Sequence, residues 1–122
     1  MKIPFLNLRG QLNQTRHDIE REFSKIIDHT AFLCGKNVKE FENKFSDLHE
    51  VKYTIGLSSG TAGNHLAMLA CGILHGDEVI MPVNTFIATA EGVSLAGGKP
   101  VFVDIDEATY NIDVSKIEEA IT

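Results

Sequence analysis

The sequence predicts an α/β protein with a βαβαβ parallel-sheet core, preceded by two N-terminal helices. Three short apolar segments, at 51–57, 79–81 and 101–103, are typical of buried strands. Two runs of helix-forming residues, at 62–74 and 85–96, lie between them. Because strands and helices alternate along the chain, we expect parallel strands joined by right-handed crossovers.

The first 50 residues have a different pattern, which predicts a helical N-terminal arm. Residues 1–12 are expected to be irregular, because Pro4 and Gly10 interrupt any periodicity. From 13 to 28 an amphipathic helix is indicated by apolar residues spaced one or two turns apart: Ile19, Phe23, Ile26 and Ile27.

A second amphipathic helix is predicted to begin at Asn37. Asn37 is a favourable capping residue, and Glu40 three positions later resembles the second half of a capping box. An apolar stripe follows the cap at helical spacing: Val38, Phe41, Phe45 and Leu48.

Glycine, proline and aspartate mark the ends of the core elements. Gly76 ends the helix at 62–74, and Pro82 closes the second strand. Asp113 is expected to cap a last helix at 114–121. The helix at 62–74 is apolar on nearly every side, so the sequence predicts that it is buried all round.

Composition limits the classes of function. A chain of 122 residues with 43% hydrophobic and 23% charged residues fits one domain, taken here as an arm at 1–50 and a core at 51–122. Its net charge of −6 argues against nucleic-acid binding, and no apolar run is long enough to span a membrane.

Two distant cysteines, Cys34 and Cys71, suggest neither a disulfide scaffold nor a CxxC site, so a cytoplasmic protein is expected. A metal site is not expected from the spacing of the five histidines: His17, His29, His49, His65 and His75.

The topology predicts where a ligand would bind. In a parallel sheet, ligands lie beyond the carboxyl ends of the strands, and loops 58–61, 82–86 and 104–107 meet there. At the first loop, Ser59-Gly60-Thr61 turns a strand into a helix and leaves amide donors suited to an anion such as phosphate. Ser59 or Thr61 acting as a simple helix cap is an equally good interpretation of this stretch alone.

A dinucleotide is not favoured as the ligand. Gly56, Gly60 and Gly63 have the wrong spacing for the dinucleotide fingerprint, and Met81-Pro82 stands where a ribose-binding acid should. A phosphate-bearing cofactor with a flat ring fits better, with its ring against Phe86, although an isolated phenylalanine is more often part of a core.

Several motifs in register resemble the DegT/DnrJ/EryC1/StrS aminotransferases, the nucleotide-sugar branch of the fold-type I pyridoxal-phosphate enzymes. The resemblance covers essentially the whole chain and indicates part of the large domain of such a transferase. It rests on Ser59-Gly60-Thr61-Ala62, Cys71-Gly72-Ile73, residues 76–80, Pro82, residues 85–90 and residues 100–106, supported by Ile3-Pro4-Phe5, Phe41-Glu42 and Asn111-Ile112-Asp113.

This resemblance implies a cofactor, a reaction and a set of binding residues. The turn formed by Ser59, Gly60, Thr61 and Ala62 would bind the phosphate of pyridoxal 5′-phosphate, and Phe86 would stack on its ring. Family members are homodimers that transfer an amino group, usually from glutamate, to a keto-sugar nucleotide; a few relatives dehydrate sugars instead.

The chain departs from the family pattern in two ways. Gly63-Asn64 replaces the common Ala-Leu after the turn, which places a glycine and a polar residue in the first turn of the helix. The chain is also about a third of the family length, and the Schiff-base lysine and pyridine-binding acid fall outside it. Neither Lys52 nor Lys99 is suitably placed, and Asp104 is expected to form a turn.

We therefore expect this chain to be the N-terminal part of a sugar aminotransferase, which binds the cofactor and is inactive alone. It would associate with itself through uncovered apolar faces. The alternatives are a non-catalytic truncated module for phosphate binding or self-association, and part of a pyridoxal-phosphate-dependent sugar dehydratase of the same family.

Overall fold

The computed structural model describes residues 3–122, which form two compact units that meet in sequence between Gly56 and Leu57. The first unit contains α1 (Leu8–Asp28) and α2 (Lys36–His49). The second contains α3 (Gly60–Ala70), β1 (Glu78–Pro82), α4 (Ile87–Leu95) and β2 (Lys99–Val103), followed by two 3-10 turns, Val114–Lys116 and Glu118–Ala120.

The prediction of irregular backbone for residues 1–12 was wrong from Leu8 onward; Met1 and Lys2 lie outside the described residues. Helix α1 begins earlier because the Asn7 side chain accepts a hydrogen bond from the Gly10 amide, at 3.1 Å. A cap of this kind contributes about 1 kcal/mol, which offsets the similar cost of a glycine inside a helix.

The predicted capping box at the start of the second helix was also wrong. Gly35 is the N-cap of α2, and its carbonyl accepts hydrogen bonds from the amides of Val38 and Lys39. The Glu40 carboxylate instead pairs with the Lys44 ammonium at 2.7 Å, one turn further along the helix.

The second unit confirms the α/β class and a parallel sheet, but the sheet has two strands where three were predicted. Strands β1 and β2 pair in parallel, from Glu78 beside Lys99 to Pro82 beside Val103. The amide of Val83 extends the pairing by donating to the Val103 carbonyl, at 2.9 Å. Pro82 is the last residue of β1, and Pro100 is the second residue of β2, where it stands beside Val79.

The predicted strand at 51–57 was wrong for this structure, in which the segment has no regular hydrogen-bonded partner. A strand requires a neighbour that offers free backbone groups. The contacts of residues 51–56 go to α2 instead. The Gly56 amide donates to the Glu42 carboxylate at 2.7 Å, and the hydroxyls of Ser46 and Thr54 bond at 2.8 Å.

The core of the second unit lies around α4, which packs against both α3 and β2. Its buried apolar side chains are Met81, Ala88, Val93 and Val103. The prediction that the 62–74 helix is buried all round was wrong, because α3 has no buried residue and α4 covers only one of its sides.

The last predicted helix, at 114–121, was wrong in type. Asp113 does accept a hydrogen bond from the Ser115 amide at 3.0 Å, as a cap should. The backbone then makes two 3-10 turns rather than an α-helix. None of the helices within residues 3–122 combines the length and apolar character needed to cross a membrane.

Candidate functional site

The turn before α3 has both a satisfied cap and free amides. Ser59 is extended, and its hydroxyl accepts a hydrogen bond from the Ala62 amide at 3.1 Å. Its carbonyl accepts from the Gly63 amide at 3.0 Å. The amides of Gly60 and Thr61 have no acceptor among residues 3–122. These two donors lie at the positive end of the helix dipole, where an anion is stabilised.

The space beside this turn is open. A Cβ atom built on Gly60 would meet no heavy atom within 4 Å, and Ser59 and Gly60 are both exposed. A ligand can therefore approach the backbone here without displacing a side chain. Glycine suits such a position because it adds nothing between the amides and the ligand.

Phe86 stands at the start of α4 with 76% of its surface exposed. It follows the carboxyl end of β1, and its carbonyl accepts a hydrogen bond from the Thr89 amide at 3.0 Å. The hydroxyls of Thr85 and Thr89 lie 3.0 Å apart and connect the residue before Phe86 to the first turn of the helix. The ring is thus attached to an ordered helix start and is not part of the core.

Helices α3 and α4 run in the same sense, which brings their N-termini to the same end of the second unit. They come into contact at Asn64 and Gly92. Beyond their C-termini, a Cβ on Gly98 would lie 2.9 Å from Ile73 Cγ2, and the Gly76 amide donates to the Gly97 carbonyl. The opposite ends, at Gly60 and Phe86, therefore both lie toward the carboxyl edge of the sheet.

Asp104 lies at the same edge, immediately after β2. Its carboxylate accepts a hydrogen bond from the Ile105 amide at 2.8 Å, and its carbonyl accepts from the Asp113 amide at 3.0 Å. These bonds hold the loop that leaves the strand, so the residue acts in a turn.

Lys99 is engaged at the opposite edge of the sheet. Its ammonium bonds to the Glu78 carboxylate at 2.6 Å, at the amino ends of the paired strands. This bond and a second one from the Thr122 hydroxyl lower the pKa of Glu78. Lys52, in the first unit, lies over the Tyr53 ring at 5.1 Å.

Sequence reasoning did not identify the contact between Asn64 and Gly92. A Cβ on Gly92 would lie 2.8 Å from Asn64 Cβ and 3.0 Å from the backbone nitrogen of His65. His65 is half-buried beside this contact. The available signal was a glycine in the middle of a predicted helix, which commonly marks a close approach of two backbones.

The first unit contains a hollow of about 650 Å³, with Ile26, His29, Phe32 and Val38 among its lining residues. Hydrogen bonds from Lys25 and Arg21 lower the pKa of Glu22 at its wall. Within its lining, the Lys25 ammonium pairs with the Glu22 carboxylate at 2.8 Å. Within residues 3–122, no three His, Cys, Asp or Glu side chains are grouped so as to hold a metal.

Taken together, the second unit is an α/β unit with free amide donors and an exposed aromatic ring at the carboxyl edge of its sheet. The chain belongs to the DegT/DnrJ/EryC1/StrS aminotransferase family, whose family model matches residues 13–122. This confirms the family that the sequence motifs indicated.

The most similar proteins include sugar aminotransferases. The chain is 39% identical over 120 residues to the UDP-2-acetamido-2-deoxy-3-oxo-D-glucuronate aminotransferase of Pseudomonas aeruginosa, covering 98% of this chain and 33% of that protein. The chain thus spans about a third of the length of the relatives it matches.

Two solved structures share its fold. The structure of NtdA from Bacillus subtilis with bound cofactor PMP matches with a TM-score of 0.93 at 41% identity, covering 99% of this chain and 28% of that one. The Escherichia coli GDP-4-keto-6-deoxy-D-mannose-3-dehydratase with bound hydrated PLP matches with a TM-score of 0.77 at 31% identity, covering 84% and 28%. The fold is that of a fragment of the large domain of fold-type I transferases.

Proposed function

We propose that this chain is the N-terminal, cofactor-binding portion of a pyridoxal-phosphate-dependent sugar aminotransferase. One observation carries the proposal: the amides of Gly60 and Thr61 are free at the start of α3, at the same end of the unit as the exposed Phe86 ring. A molecule with a phosphate and a flat ring matches both features.

In this proposal the phosphate lies on the turn formed by Ser59, Gly60, Thr61 and Ala62. The free amides of Gly60 and Thr61 donate to phosphate oxygens. Ser59 holds the turn in shape because its hydroxyl already accepts from Ala62. A charge-assisted hydrogen bond contributes about 1.5–3 kcal/mol, so two of them would give a measurable affinity.

Phe86 would form one face of the ring site. Its side chain needs no rearrangement of the core to do so, because it is already exposed at the helix start. Stacking on an aromatic ring contributes about 0.5–1.5 kcal/mol beyond the area it buries.

The chain binds and orients in this proposal, and catalysis requires groups beyond it. When bound, pyridoxal phosphate supplies an electron sink for the reacting amine. A lysine and an acid that holds the pyridine nitrogen are both needed, and Lys99 is committed to Glu78 at the far edge of the sheet. The chain alone is therefore proposed to be inactive.

The substrate proposed for the complete enzyme is a keto-sugar nucleotide, with glutamate as the amino donor. The support for the sugar is the similarity to an aminotransferase whose name specifies a UDP-linked 3-oxo sugar. The nature of the sugar would be set outside this chain. A biosynthetic role in the cytoplasm, in nucleotide-sugar metabolism, follows from the same proposal.

A homodimer is also proposed, because apolar surface is left uncovered. Helix α3 has no buried residue although it contains Leu66 and Leu69, each nearly half exposed. In the first unit, neither α1 nor α2 has a buried residue. Helix faces that expose several large apolar side chains are normally covered by further chain or by a partner.

Two alternatives share the same site. The match to a GDP-sugar dehydratase favours dehydration of a sugar by the same cofactor. A truncated module that only binds phosphate or associates with itself is the other. Sequencing the reading frame beyond Thr122 separates the proposed aminotransferase from the module: a continuing frame with a lysine supports the aminotransferase, and an immediate stop supports the module.

The binding proposal can be tested on the full chain by amide NMR, with pyridoxamine 5′-phosphate and inorganic phosphate as probes. Pyridoxamine 5′-phosphate carries no aldehyde, so it does not react with surface lysines. Saturable shifts of the Gly60 and Thr61 amides are expected with both probes. Shifts confined to other residues, or no saturation at millimolar concentration, would overturn the proposal.

A further inference from the structure

Helices α3 and α4 approach each other closely at Gly92, a buried glycine in the middle of α4. A Cβ there would stand 2.8 Å from Asn64 Cβ and 3.0 Å from both the Asn64 carbonyl carbon and the His65 nitrogen. The two helix backbones are therefore in direct contact. Glycine is otherwise unfavourable inside a helix, so its presence here matches the requirement for this contact.

The contact lies close to the N-termini that carry the candidate site. Asn64 is four residues after Gly60, or about 6 Å along α3, and Gly92 is five residues after Ile87, or about 7.5 Å along α4. At the other end, Gly98 fits against Ile73 and Val93, where a Cβ would stand 2.9 and 3.0 Å from their methyl groups. The segments that follow the two helices are thus also in close contact, at a point away from the site.

We propose that Gly92 and Asn64 are positioning residues, which set the distance between the phosphate-binding turn and the ring platform of Phe86. The inference rests on the proposed function, since it assigns a spacing to that same site. Neither residue touches the ligand. Their contact holds α3 and α4 at the separation at which one molecule reaches both the Gly60 amide and the Phe86 ring.

The substitution Gly92→Ala tests this spacing. Non-bonded carbon atoms prefer separations of about 3.5–4.0 Å, so a new methyl group would push the helices apart by roughly 1 Å. The turn itself is unchanged, because the bond between Ser59 and Ala62 lies within α3. A probe that contacts only the turn should therefore bind with unchanged affinity. A probe that contacts both the turn and the Phe86 ring should bind more weakly.

The experiment measures the affinities of pyridoxamine 5′-phosphate and inorganic phosphate for the full chain and for Gly92→Ala. A misplacement of about 1 Å is large for a site that contacts its ligand at both the turn and the Phe86 ring. We therefore expect the affinity for pyridoxamine 5′-phosphate to fall about tenfold or more. The affinity for inorganic phosphate should change by less than about twofold, since its donors stay in place. The matched control is Gly98→Ala, which crowds Ile73 and Val93 in the same unit, beyond the helix ends that face away from the site. It should lower stability without changing the ratio of the two affinities.

Three results would overturn the positioning role. Equal losses for both probes in Gly92→Ala would indicate general damage, and unchanged affinities would show that the spacing does not matter. In the unaltered chain, pyridoxamine 5′-phosphate must shift the Gly60 amide and the Phe86 ring with one dissociation constant. A shift of Gly60 alone would overturn the inference whether or not the variant folds, while leaving the proposed phosphate site standing. If neither probe shifts the Gly60 or Thr61 amide, the proposed function itself fails.

Discussion

The Ser59 hydroxyl accepts a hydrogen bond from the Ala62 amide across the first turn of α3, at 3.1 Å. This single bond reconciles two interpretations of the turn. A side-chain cap satisfies only one of the first amides of a helix, and here it takes the third. The amides of Gly60 and Thr61 remain available. The cap and the proposed anion site are therefore compatible, because they use different donors of the same turn.

Ser59→Ala should lower the stability of the second unit and weaken phosphate binding. Loss of a serine cap costs about 1 kcal/mol, and the freed Ala62 amide no longer fixes the shape of the turn. Thermal unfolding followed by circular dichroism measures the first effect, and phosphate titration measures the second. Ser58→Ala is the matched control, because the neighbouring serine is exposed and should change neither quantity. Equal behaviour of the two variants would contradict the role given to Ser59.

Gly63→Ala should stabilise the chain. Gly63 lies inside α3, and a Cβ there would meet Leu57 Cδ1 at 3.6 Å, which is an ordinary contact. Alanine is favoured over glycine in a helix interior by about 1 kcal/mol, so the midpoint of urea unfolding should rise. The same substitution at Gly92 should lower it, because the added methyl group meets Asn64 at 2.8 Å. A fall in both variants would show that α3 does not tolerate alanine at its start.

Phe86→Ala should separate binding from stability. Phe86 is 76% exposed, and substitutions at such surface positions usually change the free energy of unfolding by less than about 0.5 kcal/mol. The proposed stacking contact would be lost, which should lower the affinity for pyridoxamine 5′-phosphate by about tenfold and leave inorganic phosphate unaffected. Leu95→Ala, at the opposite end of α4 and 64% exposed, serves as the control. An unchanged affinity in Phe86→Ala would remove this residue from the site.

Local patterns in the sequence were enough to find the elements of the second unit. Val79 to Met81 and Val101 to Val103 were identified as strands from short apolar runs bounded by glycine or proline. Asp113 was identified as a cap because its side chain bonds within two residues. Such features depend on neighbours in sequence, which a single chain reveals.

Features that depend on distant partners were missed. The 51–57 segment has the composition of a strand, but pairing requires another strand at its side, and its contacts within the first unit go to α2. Similarly, the sequence placed Gly60 and Phe86 at one edge of the sheet by topology, but it could not give the contact between Asn64 and Gly92. That contact depends on how two helices pack, and only the glycine inside α4 signalled it.

The chain should associate with itself in solution. Most apolar side chains of α1 are at least 45% exposed, including Leu12, Ile19, Phe23 and Ile27. Burial of such groups releases about 25 cal/mol for each Å² removed from water, which favours association as concentration rises. Sedimentation velocity over a range of concentrations should show a rising mean mass. A monomer with a cooperative thermal transition at every concentration would contradict this prediction and count against the proposed homodimer.

The loop after β2 should respond to acid through Asp106. Its carboxylate accepts hydrogen bonds at 2.8 Å from both the hydroxyl and the amide of Thr109, and another from the Ala108 amide at 3.2 Å. The Thr109 hydroxyl is the largest cause of the lowered pKa of Asp106, and the Thr109 amide is the next. Because the folded pKa lies below the unfolded value, these bonds contribute stability above the unfolded pKa of about 3.9. That stability is lost as the pH falls through the lower, folded pKa.

Thr109→Val isolates the hydroxyl from the two amides. The valine side chain keeps the branched shape but donates no hydrogen bond, so the pKa of Asp106 should rise toward its ordinary value without reaching it. Carbon-13 NMR of the side-chain carboxyl group measures this titration directly. Asp113 provides an internal control, since its own pKa is lowered chiefly by the Ser115 hydroxyl and amide, which the substitution leaves in place. If both carboxyl groups shift together, the loop has changed as a whole, and the lowered pKa of Asp106 does not depend on the Thr109 hydroxyl alone.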